Sequence, residues 1–432
     1  MWLYPPPVDL PSSDDDNIES SFLDEGVFSS VYKIRRLGDQ EASYALKLVP
    51  YGNKGIREPH DVVKEIKALF RVSHCNIVQL LGVAMPQEEP VIELWMPFVP
   101  IRLTTILNDI TFTRHRPPRD TGTLLGQTLL LENRTRVFGR LAKGLCYQVV
   151  AAVAYLHDLS PPISHRDIKP DNFLVELSGY VKLIDFGLAW GSREGSNQHP
   201  HISLKNVWTE TSDNMYHQVG TGAFRAPELL FSPRTYDPLA CDLWSLGTTL
   251  AHFFTPFICE NLDLDSVDSR AFTTFEDGSE PASPSSGDEP ICRRDTLFDS
   301  SRGELGLIWS IFKTLGTPNA QTWPEFEGLP DADKVTFREA EAVDLQEKLP
   351  GIVDNGSDDT PICLISGLLV CRPKGRASAA AAIRDRWFVS YLRPLLPEAY
   401  PVKFEGTNNV ETDDEKLGHW LSLISSEHLQ IR

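Results

Sequence analysis

The spacing of apolar positions changes near the end of the first hundred residues, and the change predicts two units of different character. Residues 27–34 and 44–49 are short β-like runs; in the second, Leu46 and Leu48 alternate around Lys47, as in a half-buried strand. Helical spacing follows over residues 62–72, where Val63, Ile66, Leu69 and Phe70 share one face. Residues 77–83 and 91–98 predict two further strands. Beyond them the chain is mostly helical. Leu141, Leu145, Val149, Val153 and Leu156 mark the buried face of a long helix over 137–157, and 238–254, 303–315 and 376–389 have the same character. Residues 173–175 and 181–184 alternate like the two strands of a hairpin.

Polar stretches interrupt this pattern. Residues 1–18 combine Pro5-Pro6-Pro7 with Asp14-Asp15-Asp16 and predict a flexible leader. Residues 109–136 hold Arg114-His115-Arg116-Pro117-Pro118-Arg119 and predict a loop; residues 191–215 are rich in Gly, Ser and Asn. Residues 260–300 carry eleven acidic side chains against three arginines, with little apolar surface to offset ordering entropy, so disorder is expected there.

Composition narrows the function classes. A chain of 432 residues is too long for one compact core. Its net charge of −19 weighs against broad nucleic-acid or membrane binding, because phosphates and anionic lipids repel it. The acidity is uneven, since residues 260–300 alone contribute −8. No uninterrupted apolar run approaches the roughly 20 residues of a membrane helix, and the start lacks a secretory signal. The cysteines at 75, 146, 241, 259, 292, 363 and 371 are odd in number and lack CxxC spacing, so they are expected to be unbridged in a reducing compartment, nuclear or cytoplasmic.

The chemistry concentrates in Ser164-His165-Arg166-Asp167-Ile168-Lys169-Pro170-Asp171-Asn172 and in Asp185-Phe186-Gly187. The intervening hairpin pattern brings Asp167, Asn172 and Asp185 to one mouth, and three oxygen-bearing side chains suit Mg²⁺ beside phosphates. In order, these two motifs resemble the catalytic and metal-binding loops of eukaryotic protein kinases, and the resemblance covers roughly residues 21–392. Ala45-Leu46-Lys47 matches the strand lysine of that family, and Glu65 its helix partner. Alone, either charge would read as a solvated surface group. Ala226-Pro227-Glu228, Asp242-x-Trp244-Ser245-x-Gly247 and Arg376 match structural positions of the large lobe, and imply a buried Glu228–Arg376 ion pair.

The resemblance implies an α+β, bilobal protein kinase fold, with a small β-rich N-lobe carrying one main helix (about 21–97) and a larger helical C-lobe (about 101–392). A leader (1–20), the insertions 109–136, 191–215 and 260–300, and a tail (393–432) complete it. It implies ATP and Mg²⁺ as cofactors and transfer of the γ-phosphoryl to protein hydroxyls. By analogy Asp167 receives or orients the hydroxyl proton, and Lys169 neutralises the transferred phosphoryl. Lys47, held by Glu65, orients the α- and β-phosphates, while Asn172 and Asp185 bind the metal. Leu23, Gly26, Val31, Ala45, Lys47, Met96, Pro97, Val99 and Leu174 would line the nucleotide site, with Met96 at its back and the Pro97 and Val99 backbone on adenine. The phosphate-covering loop departs from the family pattern. Of its three expected glycines only Gly26 is present; Asp24 and Ser29 stand at the others, and Asp24 adds a negative charge.

A lysine at 169 is typical of serine/threonine kinases, and several stretches resemble the cyclin-dependent branch, among them Phe224-Arg225-Ala226-Pro227-Glu228 and Thr314-Leu315-Gly316-Thr317-Pro318. The helix bearing Glu65, however, lacks the cyclin-contacting signature. Val27 and Phe28 stand at the inhibitory phosphorylation positions and Tyr216 at the activating threonine, and Gly220-Thr221-Gly222-Ala223 replaces bulkier residues near the substrate pocket. Asp185 to Glu228 makes a long activation segment of 44 residues. In these respects the chain resembles the single-subunit fungal kinases that activate cyclin-dependent kinases. That implies a monomer acting on protein substrates, cyclin-dependent kinases among them, without cyclin, nucleic acid or membrane. Two alternatives remain open: a divergent cyclin-dependent kinase that needs a cyclin, and a weak pseudokinase serving as an adaptor.

Overall fold

The computed structural model describes residues 2–4, 6, 10, 17–26, 29–37, 43–51, 59–86, 90–109, 112–113, 131–191, 210–260, 291–352, 359–390 and 393–402, with backbone alone at 131–136, 259, 260 and 291. A six-stranded antiparallel sheet forms the small lobe from β1 (Trp2–Tyr4), β2 (Ile18–Gly26), β3 (Ser29–Arg36), β4 (Ser43–Pro50), β5 (Gly82–Ala84) and β6 (Val91–Pro97), ordered β1-β5-β6-β4-β3-β2. Helix α1 (Val62–Phe70) covers one face, N-capped by the Asp61 carboxylate, which accepts the Val63 N–H at 2.9 Å. The two-residue period divides the strands cleanly. Ile92, Leu94 and Met96 pack with the face carrying α1, whereas Leu46 and Trp95, opposite one another in register, join Leu10, Ile34 and Leu81 on the other.

That second apolar face explains where the sequence expectation differs. Trp2 and Tyr4 were expected in a flexible leader, yet they form an edge strand because Trp2 reaches Trp95 (6.3 Å between ring centroids) and Tyr4 packs edge-on to Phe70 (4.7 Å). Residues 77–83 were expected as a strand, but only Gly82–Ala84 is one; Ile77 makes a lone parallel bridge to Leu183.

A short β7 (Ile101–Arg102) and α2 (Leu103–Asn108) lead into the large lobe, whose centre is α3 (Leu131–Asp158). Part of α3, Val137–Asp158, is long and apolar enough to cross a membrane, but its apolar face is the core of this lobe. Strands β8 (Ile163–Ser164), β9 (Phe173–Val175), β10 (Val181–Leu183) and β11 (Trp190–Gly191) carry the site. Register β10-β9-β7 places Leu174 beside Arg102. Then follow α4 (Pro238–His252), the hairpin β12 (Phe257–Glu260) and β13 (Ile291–Arg294), and α5 (Gly303–Leu315). The single helix expected over 376–389 is two short ones, Ala379–Ala382 and Arg386–Val389.

Several interruptions are smaller than expected. α3 begins at Leu131, inside the stretch assigned to a loop, and Phe112 is buried. Residues 114–130, 192–209, 261–290 and 403–432 lie outside the described residues. At 291–300 the chain is ordered, contrary to the reading of 260–300 as disordered. Arg294 donates to the Leu107 and Thr255 carbonyls at 2.8 Å, and Phe298 stacks on Trp244 at 5.5 Å. Net charge over the whole stretch drove the disorder reading, although Arg293-Arg294-Asp295-Thr296-Leu297-Phe298 also resembles the cyclin-dependent branch. Cys292 is disulfide-bonded, contrary to the expectation of unbridged cysteines, and its Cα faces that of Cys259 across the hairpin.

The C-terminal segment 393–402 also packs on α3. The Leu395 N–H donates to the Arg140 carbonyl at 3.1 Å, and the Tyr400 hydroxyl bonds Asn76, whose amide in turn reaches Gln148 at 2.9 Å. Gly144 permits this approach, since a Cβ there would lie 1.8 Å from the Leu395 carbonyl oxygen. Gly144→Ala is therefore expected to lift the segment and destabilise the protein by about 1–3 kcal/mol. Urea unfolding measures the loss, and increased proteolysis near Tyr400 reports the detachment.

Candidate active site

Period-two geometry sends Ala45 and Lys47 of β4 to the face that meets α1, opposite Met96 and Leu94 of β6. The Lys47 ammonium donates to both Glu65 oxygens (2.8 and 2.9 Å) and to Asp185 Oδ1 (2.9 Å). Burial alone would push Lys47 down, but the Asp185 and Glu65 carboxylates override it and hold it above its ordinary value. Burial raises the Glu65 carboxyl, whereas at Asp185 the same penalty is outweighed by the Lys47 charge, leaving it below the usual carboxylate range. Three groups expected from the sequence thus meet at one point.

The second cluster lies on the loop between β8 and β9. Asp167 Oδ1 accepts from the Thr221 hydroxyl at 2.7 Å, and Oδ2 from Asn172 Nδ2 at 3.0 Å and from the Lys169 ammonium at 2.9 Å. Lys169 also donates to Thr221 Oγ at 2.7 Å. Asn172 Nδ2 spends its other hydrogen on the Asp167 carbonyl at 2.7 Å, so its Oδ1 is the oxygen a cation can take. Two residues in this region are left-handed without being glycine, Arg166 (φ 64°) and Asp185 (φ 63°). Such strain costs about 1–3 kcal/mol per residue and persists only where the surroundings enforce it. Buried Asp242 does so at Arg166, accepting the His165 and Arg166 backbone N–H groups at 2.8 and 2.7 Å.

A third cluster was not legible in the sequence. Glu210 lies in the stretch assigned to the 191–215 insertion, yet it is buried and bonded to Arg166 Nη1 (2.5 Å), Arg166 Nη2 (2.9 Å) and Lys64 Nζ (2.9 Å). The Tyr216 backbone N–H donates to the same carboxylate at 2.9 Å.

A sequence model of the protein kinase domain matches residues 19–388, most of the chain. The chain belongs to the protein kinase domain family. Among its relatives, the serine/threonine-protein kinase ppk23 of Schizosaccharomyces pombe is 27% identical over 381 residues, covering 88% of this chain and 74% of that one. Cyclin-dependent kinase 7 of Xenopus laevis is 28% identical over 387 residues, covering 87% and 83%. A solved CAK complex of Chaetomium thermophilum bound to ATP-γ-S superposes with a TM-score of 0.60 at 22% identity, covering 88% of this chain and 93% of that one, which speaks for the fold. This protein is a serine/threonine kinase of the cyclin-dependent-kinase-like type and uses ATP.

Within the small-lobe sheet of this kinase, Ala45 is in register with Met96 on the neighbouring strand, Val31 with Lys47, and Asp24 with Val31. Gly26 pairs with Ser29 at the tip of the β2–β3 hairpin; Leu23 is on β2, and Pro97 and Val99 follow on the strand exit from β6. The negative charge expected from Asp24 has a partner. The Arg102 guanidinium, on β7 beside Leu174, meets the Asp24 carboxylate at 2.7 Å. Both side chains are nearly half exposed, so the pair adds little stability. Its consequence is electrostatic: Arg102 offsets an anion that would oppose nucleotide phosphates. Arg102→Ala is expected to raise KM for ATP about two- to fivefold, and Asp24→Gly in the same chain to restore it. Initial-rate kinetics on the three variants measures both effects. No sequence signal pairs Asp24 with Arg102, because 78 residues separate them.

Proposed function

We propose that this kinase works as a single chain without a cyclin, in the nucleus or cytoplasm, and phosphorylates the activation loops of cyclin-dependent kinases. The observation that carries the reading is the anchoring of α1 from within the chain. The Asp61 N–H donates to the Gly187 carbonyl at 3.1 Å, and Lys64 of the same helix donates to buried Glu210 at 2.9 Å. Val62, Val63, Ile66 and Leu69 of the same helix are buried. A helix so held keeps Glu65 on Lys47 with no external subunit pressing it inward. In support of the substrate class, cyclin-dependent kinase 7 is a relative and the similar solved structure is a CAK complex.

The proposed chemistry follows from the two clusters. Lys47 positions the α- and β-phosphates, while Asp167 orients the acceptor hydroxyl and takes its proton. Lys169 and Thr221 hold Asp167 and face the incoming phosphoryl. Asp185 and Asn172 supply oxygens suited to Mg²⁺, and among the described residues no group of three or more His, Cys, Asp or Glu forms a self-sufficient metal site. This fits a cation that takes one or two carboxylates and otherwise substrate phosphates. When bound, Mg²⁺ neutralises phosphate charge.

The similar solved structures, the CAK complex and the yeast CTDK-1 complex (TM-score 0.56, 20% identity, covering 91% of this chain and 95% of that one), are both complexes by title, so a cyclin-requiring kinase is the competing reading. The purified chain alone, given Mg-ATP and an unphosphorylated cyclin-dependent kinase, is expected to transfer phosphate to its activation loop. Transfer that begins only after a cyclin is added to the enzyme overturns the single-chain reading. Transfer to a general protein substrate but not to that loop overturns the substrate assignment.

A further inference from the structure

The Glu210 carboxylate has no part in nucleotide binding or proton transfer, yet it is the most heavily bonded acid in the described residues of the large lobe's cleft side. Its four donors come from three separate elements. Arg166 belongs to the catalytic loop, one residue before Asp167. Lys64 belongs to α1, one residue before Glu65. The Tyr216 amide belongs to the segment that runs on toward Thr221, the residue bonded to Asp167. A carboxylate offers about four acceptor sites, so this one is saturated.

Burial would push the Glu210 carboxyl up, but the Arg166 hydrogen bonds and charge, with Lys64 beside them, outweigh it and hold it ionised below its ordinary range. The surrounding groups are arranged for one negative charge. Arg166 also donates to the Leu188 carbonyl at 2.6 Å and to the Tyr236 hydroxyl at 3.2 Å, and its guanidinium lies 5.6 Å from the Trp190 ring. Tyr236 in turn donates to the Tyr216 carbonyl at 2.6 Å, and Lys64 lies 6.0 Å from the Tyr216 ring centroid. Tyr216, which stands at the sequence position of an activating threonine, therefore packs around the anion rather than supplying it.

Many kinases order this segment by phosphorylating it, so that a phosphate pairs with arginine. We propose that Glu210 is a built-in substitute for that phosphate: a positioning residue whose fixed charge ties α1, the catalytic loop and the activation segment together. The kinase is then constitutively ordered at this point, and Tyr216 needs no modification. The proposal rests on kinase activity alone and is independent of which protein is the substrate.

The test measures steady-state kinetics with Mg-ATP and a general serine/threonine protein substrate. Wild-type kinase stripped by a broad-specificity phosphatase is expected to keep its kcat, a measurement that needs no variant. Glu210→Gln is expected to lower kcat about tenfold or more, by losing charged hydrogen bonds, with KM for ATP nearly unchanged. Lys64→Met, which removes only the α1 arm, is expected to lower kcat in the same direction. Glu210→Ser carrying genetically encoded phosphoserine at that position is expected to regain activity, and to lose it again on phosphatase treatment. A merely structural role would not create that phosphatase sensitivity. The proposal is overturned if the stripped wild type loses activity, if Glu210→Gln keeps the wild-type kcat, or if the phosphoserine form is no more active than its dephosphorylated counterpart.

Discussion

Asp167→Asn is expected to lower kcat by about 10²–10⁴-fold, the range for losing a positioned proton acceptor, while leaving KM for ATP close to wild type. The substitution preserves shape, so the loss is chemical. Asp167 accepts from Thr221 on one oxygen and from Asn172 and Lys169 on the other. An amide in its place must present an NH₂ group to one of those donors, and it has far less affinity for the substrate proton. Nucleotide contacts are expected from the opposite lobe and from Lys47, which Asp167 does not touch, hence the separation of kcat from KM. Single-turnover transfer from labelled ATP measures the chemical step, and a thermal melt checks that the variant is folded. A variant within tenfold of wild type would remove Asp167 from its proposed role.

Arg376→Ala is expected to destabilise the kinase by about 3–5 kcal/mol, because it leaves a buried carboxylate without its counter-charge. The Arg376 guanidinium meets both Glu228 oxygens at 2.7 and 2.6 Å. It also donates to the carbonyls of Val370 and Ala240 (both 2.8 Å) and Cys371 (3.0 Å), with Trp244 facing it at 5.2 Å. One side chain therefore ties together the end of the activation segment, α4 and the C-terminal part of the large lobe. Against a total stability of about 5–15 kcal/mol, that loss is large. Urea denaturation gives the magnitude. Glu228→Leu combined with Arg376→Met is expected to recover much of it, since an apolar pair of similar volume carries no stranded charge. A single variant that shifts stability by less than about 1 kcal/mol would contradict the buried-pair account.

Local pattern made the strands and the site largely legible. Lys47 and Glu65 were readable as a pair from the family resemblance, and the structure brings them into contact where β4 and α1 pack together. Asp167, Asn172 and Asp185 were readable because they flank a short hairpin, and a hairpin fixes the distance between its ends. The Glu228–Arg376 pair was expected from the family resemblance and is present.

The readings that changed share a cause. Trp2, Tyr4 and Leu10 sit in a polar, proline-containing stretch, and nothing local shows that the outer sheet face needs a cover. Phe298 and Arg294 lie in a span judged disordered by its net acidity, even though residues 293–298 resemble the cyclin-dependent branch. α3 extends back into a segment judged by its arginines and prolines.

Taken alone, the sequence determined the kinase family, the order of the two lobes and the side chains that gather at the candidate site, because these are carried by short motifs whose spacing a strand, a turn or one helical face converts directly into geometry. The tertiary structure decided what balances those groups. Arg102 meets Asp24 from 78 residues away, and Glu210 joins Lys64 and Arg166 from 146 and 44 residues away. Partnerships of that separation are chosen by the packing of whole elements and by the need of a buried charge for its opposite, and neither leaves a periodic trace in the chain.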